Sequence, residues 1–199
     1  MTIKINYSEK KNSNSTGNLV LFADEKFSIS ALKKYLSNSE FSYINDLLKN
    51  SDLKKNSFVF EVNSKKKIVL ISIKKDLKGY DIENLGAEFY GRINYGKNSE
   101  YFINSDSIIS KHENFIGYFL HGLKLKSYEF NKYKTKKETR LISINVLGNK
   151  NKPSIQTQLK FKALEDGIFY ARDLVSEPGN ILHPDEYAKR LSTLRKNGL

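Results

Sequence analysis

Between Thr2 and Tyr7 apolar and polar residues alternate, the period-two signature of a strand. The polar run at residues 10–17 predicts a loop, and Leu19-Val20-Leu21-Phe22 predicts a short apolar strand. From Ser30 the spacing changes. Leu32, Tyr35 and Leu36, then Phe41, Ile44, Leu47 and Leu48, recur at three- and four-residue intervals, which predicts one or two helices with Ser39 capping the second. Phe58 to Val62 and Ile68 to Ile73 read as strong strands, and the short polar link between them predicts an antiparallel hairpin.

Ile82, Leu85, Phe89 and Ile93 share one face of a helix that should end at Gly96. Tyr101-Phe102-Ile103 is a short strand candidate, Phe115 to Leu125 a helix, and Arg140 to Leu147 an alternating strand. The last third reads as helical. Ile155, Leu159, Ala163, Ile168, Ala171, Leu174 and Val175 form an apolar stripe over about Ser154 to Ser176, with Gly167 costing about 1 kcal/mol relative to Ala. Pro178 and Gly179 stop this helix, because proline lacks the N–H and clashes with the preceding turn. Pro184 then opens a final helix, Asp185 to Arg195, closed by Asn197-Gly198.

Strands interleaved with helices and one hairpin predict an α/β fold, a mixed sheet flanked by helices on both faces. Residues 1–150 form the expected α/β domain, and residues 151–199 the expected connector helices leaving it.

The 199 residues carry a net charge of +12, which raises nucleic acid as a partner. Lysines scattered over a surface recognise nothing in particular, and Lys65-Lys66-Lys67 and the Lys132–Lys137 cluster read as solvated. With no cysteine there is neither a disulfide nor a thiolate metal site. No run of about 18 apolar residues and no apolar leader occur, so a soluble cytoplasmic protein with no membrane partner is expected.

Candidate chemistry is sparse. His112, His121 and His183 are far apart and show no paired metal-ligand spacing. His121 lies on a helix with an apolar face and reads as structural, and His183 precedes Pro184 as a weak helix cap. The acidic pairs Asp24-Glu25 and Glu165-Asp166 read as solvated surface, since neighbours on a helix point apart. Gly117 and Gly122 lie within a helix and form no dinucleotide fingerprint. No catalytic, cofactor-binding or metal-binding residue is assigned.

Two segments carry a family resemblance. One runs from Gly122 to Lys137, a helix exit into Tyr128-Glu129-Phe130-Asn131-Lys132-Tyr133-Lys134. The other is Ala171-Arg172-Asp173-Leu174-Val175, followed by Pro178, Asn180 and Pro184. In this order and separation they resemble the N-terminal domain and connector helix of the leucyl aminopeptidase (cytosol aminopeptidase) family. The resemblance implies a macro-domain-like fold leading into a C-terminal catalytic domain, which would begin beyond Leu199. It further implies a cytoplasmic, often hexameric exopeptidase that removes N-terminal residues from peptide substrates. Two divalent ions (zinc, manganese or magnesium) would do the chemistry, and the family's Asn-Thr-Asp-Ala-Glu-Gly-Arg signature that helps hold them is not found here. The matching Arg172, Asp173, Pro178, Asn180 and Pro184 are expected to be structural, with Arg172 and Asp173 pairing or fixing the helix against the following domain and Asn180 bonding local backbone. The alternative is a basic α/β binding module for nucleic acid or an anionic ligand, with Tyr128 to Lys137 as the contact stretch.

Overall fold

The computed structural model describes residues 2–8, 17–93, 99–135 and 141–198. Most of the predicted loop at 10–17, the helix end at Gly96, the strand start at Arg140 and Lys136-Lys137 lie outside them. Six strands form one sheet: β1 (Thr2–Ser8), β2 (Asn18–Asp24), β3 (Ser57–Asn63), β4 (Lys66–Ile73), β5 (Ser99–Asn104) and β6 (Leu141–Leu147). Their order is β1-β6-β5-β2-β4-β3. Every neighbouring pair is parallel except β3 with β4, the predicted antiparallel hairpin.

Period-two alternation divides the sheet between two cores. Val20, Phe22, Val69 and Ile71 point to one face, under helices α2 (Gly79–Ile93) and α3 (Phe115–Lys126). Leu19, Leu21, Ile68 and Leu70 point to the other, under α1 (Asn38–Lys49). Continuous apolar runs in β2 and β4 are what strands covered on both faces require. Phe22 anchors the first core, with Phe115 and Phe119 edge-on at 5.4 and 5.5 Å.

Helices α2 and α3 cross backbone to backbone. A Cβ on Gly122 would sit 1.9 Å from the Glu83 carbonyl oxygen, and one on Gly86 would sit 1.9 Å from that of Phe119. These glycines therefore serve packing and have no ligand role in view. Gly117 does the same for the next helix, since its missing Cβ leaves room for the Phe161 ring.

Three details depart from expectation. The first of the two predicted helices is a 3-10 turn, Ser30–Tyr35. The cap of α1 is Ser37, not Ser39: Ser37 Oγ accepts from the Glu40 N–H while Glu40 accepts from the Ser37 N–H, a complete capping box. The final helix, α5 (Pro184–Ser192), tightens into a 3-10 turn at Thr193–Asn197, and His183 caps it without a side-chain bond.

The long helix α4 (Ile155–Ser176) is only partly covered. Its buried residues are Phe161 and Glu165, packed on α3. The predicted apolar stripe is largely outward, with Ile155 at 77%, Leu159 at 61% and Val175 at 87% exposure and Ile168 and Leu174 half-buried. No helix among the described residues is long and apolar enough to cross a membrane.

Candidate functional site

Two buried carboxylates organise the junction between the sheet domain and the C-terminal helices. Glu165 is only 5% exposed. Its oxygens accept from Lys124 Nζ at 2.7 Å and bond His121 Nδ1 at 3.3 Å, so α3 and α4 share one charged cluster. Phe161 covers the His121 ring at 5.1 Å. Tyr7, from β1, lines the same cavity of about 250 Å³ as His121, Lys124 and Glu165. Burial pushes the Tyr7 phenol up to about 12, and the Glu165 charge adds to the shift. The solvated role expected of Glu165 is thus wrong, because its position on α4 faces α3; Asp166, the next residue round the helix, is exposed as expected.

The second carboxylate is Glu177, whose side chain is 1% exposed at the end of α4. It accepts from Lys132 Nζ, from the Tyr133 hydroxyl and from Arg190 Nη1, the last at 2.8 Å. Lys132 first, then Tyr133 and Arg190, hold its carboxyl down to about 2. Arg190 also bonds Glu186 one turn earlier on α5, and its carbonyl accepts from the Tyr170 hydroxyl. Glu177 therefore ties together the loop after α3, the end of α4 and the body of α5.

The same junction joins the two segments that carry the family resemblance. The Tyr128 hydroxyl donates to Asp173 at 2.7 Å, and Arg172 Nη1 donates to the Leu125 carbonyl at 2.5 Å while lying over the Tyr128 ring. Arg172 and Asp173 each fix α4 to the α3 exit instead of pairing together. The turn at Pro178 closes through backbone alone, its carbonyl accepting from the Ile181 and Leu182 N–H groups, with Asn180 exposed. Lys132 and Tyr133, within the 128–137 stretch expected to meet phosphate and base, are engaged by Glu177. In the other cluster Lys66 and Lys67 pair with Glu40 and Glu61. Sequence alone carries no sign of Glu177 as the shared acceptor beyond the resemblance of the segments that it joins.

The remaining singled-out groups lie apart from these clusters. His112 bonds the Glu113 carbonyl and stands edge-on to Tyr118. Asp24 accepts from the Lys26 and Ser28 N–H groups, closing the turn after β2. Among the described residues no group of three or more histidine or acidic side chains could hold a metal ion.

Comparison with known proteins follows the fold. No family profile matches the chain. A probable cytosol aminopeptidase from Bradyrhizobium sp. strain BTAi1 is 39% identical over 82 residues, covering 39% of this chain and 16% of the relative. One from Rhodopseudomonas palustris strain BisA53 is 31% identical over 139 residues, covering 67% of this chain and 28% of the relative. The match thus spans between a sixth and little more than a quarter of these relatives' length. Among solved structures, a tomato leucine aminopeptidase mutant superposes with a TM-score of 0.72 at 18% identity, covering 98% of this chain and 42% of that one. The bottromycin maturation enzyme BotP in complex with Mn gives 0.62 at 10% identity, with 92% and 37% covered. By sequence over as much as 67% of its length the chain is related to the cytosol aminopeptidases, and over 98% of its length it shares the fold of a leucine aminopeptidase.

Proposed function

We propose that this chain is the N-terminal domain and connector of a leucyl aminopeptidase-like, two-metal-dependent exopeptidase that removes N-terminal residues from peptides. Residues 1–150 form the domain, and residues 151–199 hand the chain on to a catalytic domain. The observation that carries this reading is the 139-residue match at 31% identity, which spans two thirds of the chain. The junction supports it, because the segments resembling the family are those cross-linked around Glu177 and Asp173. Connector helices held this firmly have a defined direction, which a second domain needs if it is to be positioned.

The residues present do not fit the two divalent ions that the family implies. Glu165 and Glu177 are saturated by cationic and hydroxyl donors, and the Asp24 and Asp106 carboxylates accept backbone N–H groups. Zinc, manganese or magnesium would be held elsewhere in a longer protein, and no step of the reaction is assigned to these side chains. The outward apolar residues of α4 and α5 supply the face on which that domain would pack, and a cytoplasmic hexamer is the assembly that the family resemblance suggests.

The test uses leucine-p-nitroanilide with each of the three metals. The purified chain should give no turnover, whereas the protein isolated from its source cells should have more than twice the 22.9 kDa mass and cleave the substrate. Metal-dependent cleavage by the purified chain would overturn this assignment of roles. So would a native protein of 22.9 kDa.

A further inference from the structure

A second cleft lies away from the junction, at the carboxyl ends of the parallel strands β2, β4 and β5. Its volume is about 630 Å³, within the range of about 300–1,000 Å³ typical of small-molecule sites. The topology makes this position special. From β2 the chain passes to α1 on one face of the sheet; from β4 and β5 it passes to α2 and α3 on the other. Loops that depart to opposite faces leave a crevice between adjacent strand ends, and open α/β sheets bind ligands there.

The chemistry of the walls narrows the ligand. Lys26, Lys74, Lys75 and Lys111 line the cleft, drawn from all three loops and all exposed. Among the described residues none of these four is in an ion pair, whereas Lys66, Lys67, Lys124 and Lys132 each hold a carboxylate. Three carboxylates share the walls. Asp24 is occupied by the backbone of its own turn, which leaves Glu25 and Asp76. Ile73 gives an apolar floor, and Ile109 stands 57% exposed at the mouth.

We propose that this cleft binds a mononucleotide. Lysine ammonium groups meet phosphate, carboxylates accept from ribose hydroxyls, and an aliphatic wall covers one face of a base. A bare inorganic anion would use the lysines and leave the carboxylates and Ile109 without a role. The site is independent of the peptidase reading and stands or falls without it.

The test is calorimetric titration of the chain with adenosine monophosphate, adenosine and inorganic phosphate in parallel. Saturable binding of the monophosphate at millimolar concentration or below is expected, with adenosine and phosphate each at least about tenfold weaker. Lys74→Glu and Lys111→Glu should each weaken it by about tenfold with the melting temperature unchanged. Lys160→Glu, on the exposed side of α4, should leave binding intact. No saturable binding would overturn the proposal, and so would phosphate binding as tightly as the nucleotide. Equal loss with Lys160→Glu would overturn it too, by reducing the effect to bulk charge.

Discussion

At the scale of single residues, the electrostatics of Glu177 set an acid limit on the C-terminal junction. Its carboxyl is held down to about 2 from an ordinary value of 4.5 by Lys132, Tyr133 and Arg190. A depressed acid stabilises the folded junction fully above its ordinary value, and this contribution is lost as pH falls from about 4.5 toward 2. Protection of the α5 amides, measured as hydrogen exchange relative to the intrinsic rate at each pH, should therefore fall over that interval. Glu177→Gln should show lower protection at neutral pH and little further fall over the same interval. An unchanged exchange rate in the variant would mean that other contacts hold α5. Residue-scale reading of the sequence failed where a distant partner decides the outcome, and once where the local pattern was in plain sight. Ser37 and Glu40 spell a capping box three residues apart, whereas Ser39, the expected cap, has Ser42 at that spacing. Glu165 and Glu177 look like any surface glutamates in sequence, because their partners are 44 and 45 residues away.

Between elements, glycine has opposite meanings in different helices. Gly122→Ala drives a methyl group into the Glu83 carbonyl and should cost about 1–3 kcal/mol or more through forced separation of α2 and α3. Gly167→Ala, in α4, meets nothing and should stabilise by about 1 kcal/mol through helix propensity alone. Urea denaturation of the two variants checks both signs. Strand and helix existence was readable from periodicity, as in β3, β4 and α2. The face of α4 that meets α3 was not, because it lies off the apolar stripe. Phe161 fits over Gly117 there, and Glu165 is admitted because His121 and Lys124 await it. Periodicity finds an apolar face but does not say which surface covers it. Sheet order was equally hidden, since β2 lies between β4 and β5, strands that come much later in the chain.

Over the whole molecule, the exposed apolar side of α4 and α5 contrasts with central strands β2 and β4, covered on both faces. Leu159, Val175 and Tyr187 are exposed on these two helices. Replacing Leu159 or Val175 by Glu should leave stability within about 0.5 kcal/mol, since neither is buried, and should reduce self-association measured by light scattering. A large loss of stability would mean that these side chains support the domain itself. Relatives several times longer than the matched region make this face the natural seat of a further domain in the proposed enzyme.

The position of β1 has a consequence for synthesis. Asn6 lies beside Asn145, 139 residues along the chain, and β1 pairs with no other strand. A ribosome makes β1 well before β6, and the place of β1 in the sheet exists only after β6 has emerged. The nascent domain can assemble β2 to β5 around Phe22 while its opening segment waits, with Ile3 and Ile5 uncovered. The earliest of the six strands is then the last to be seated, and a chain stalled before Leu141 would carry an unpaired β1 and an open β5 edge that β6 later brings together.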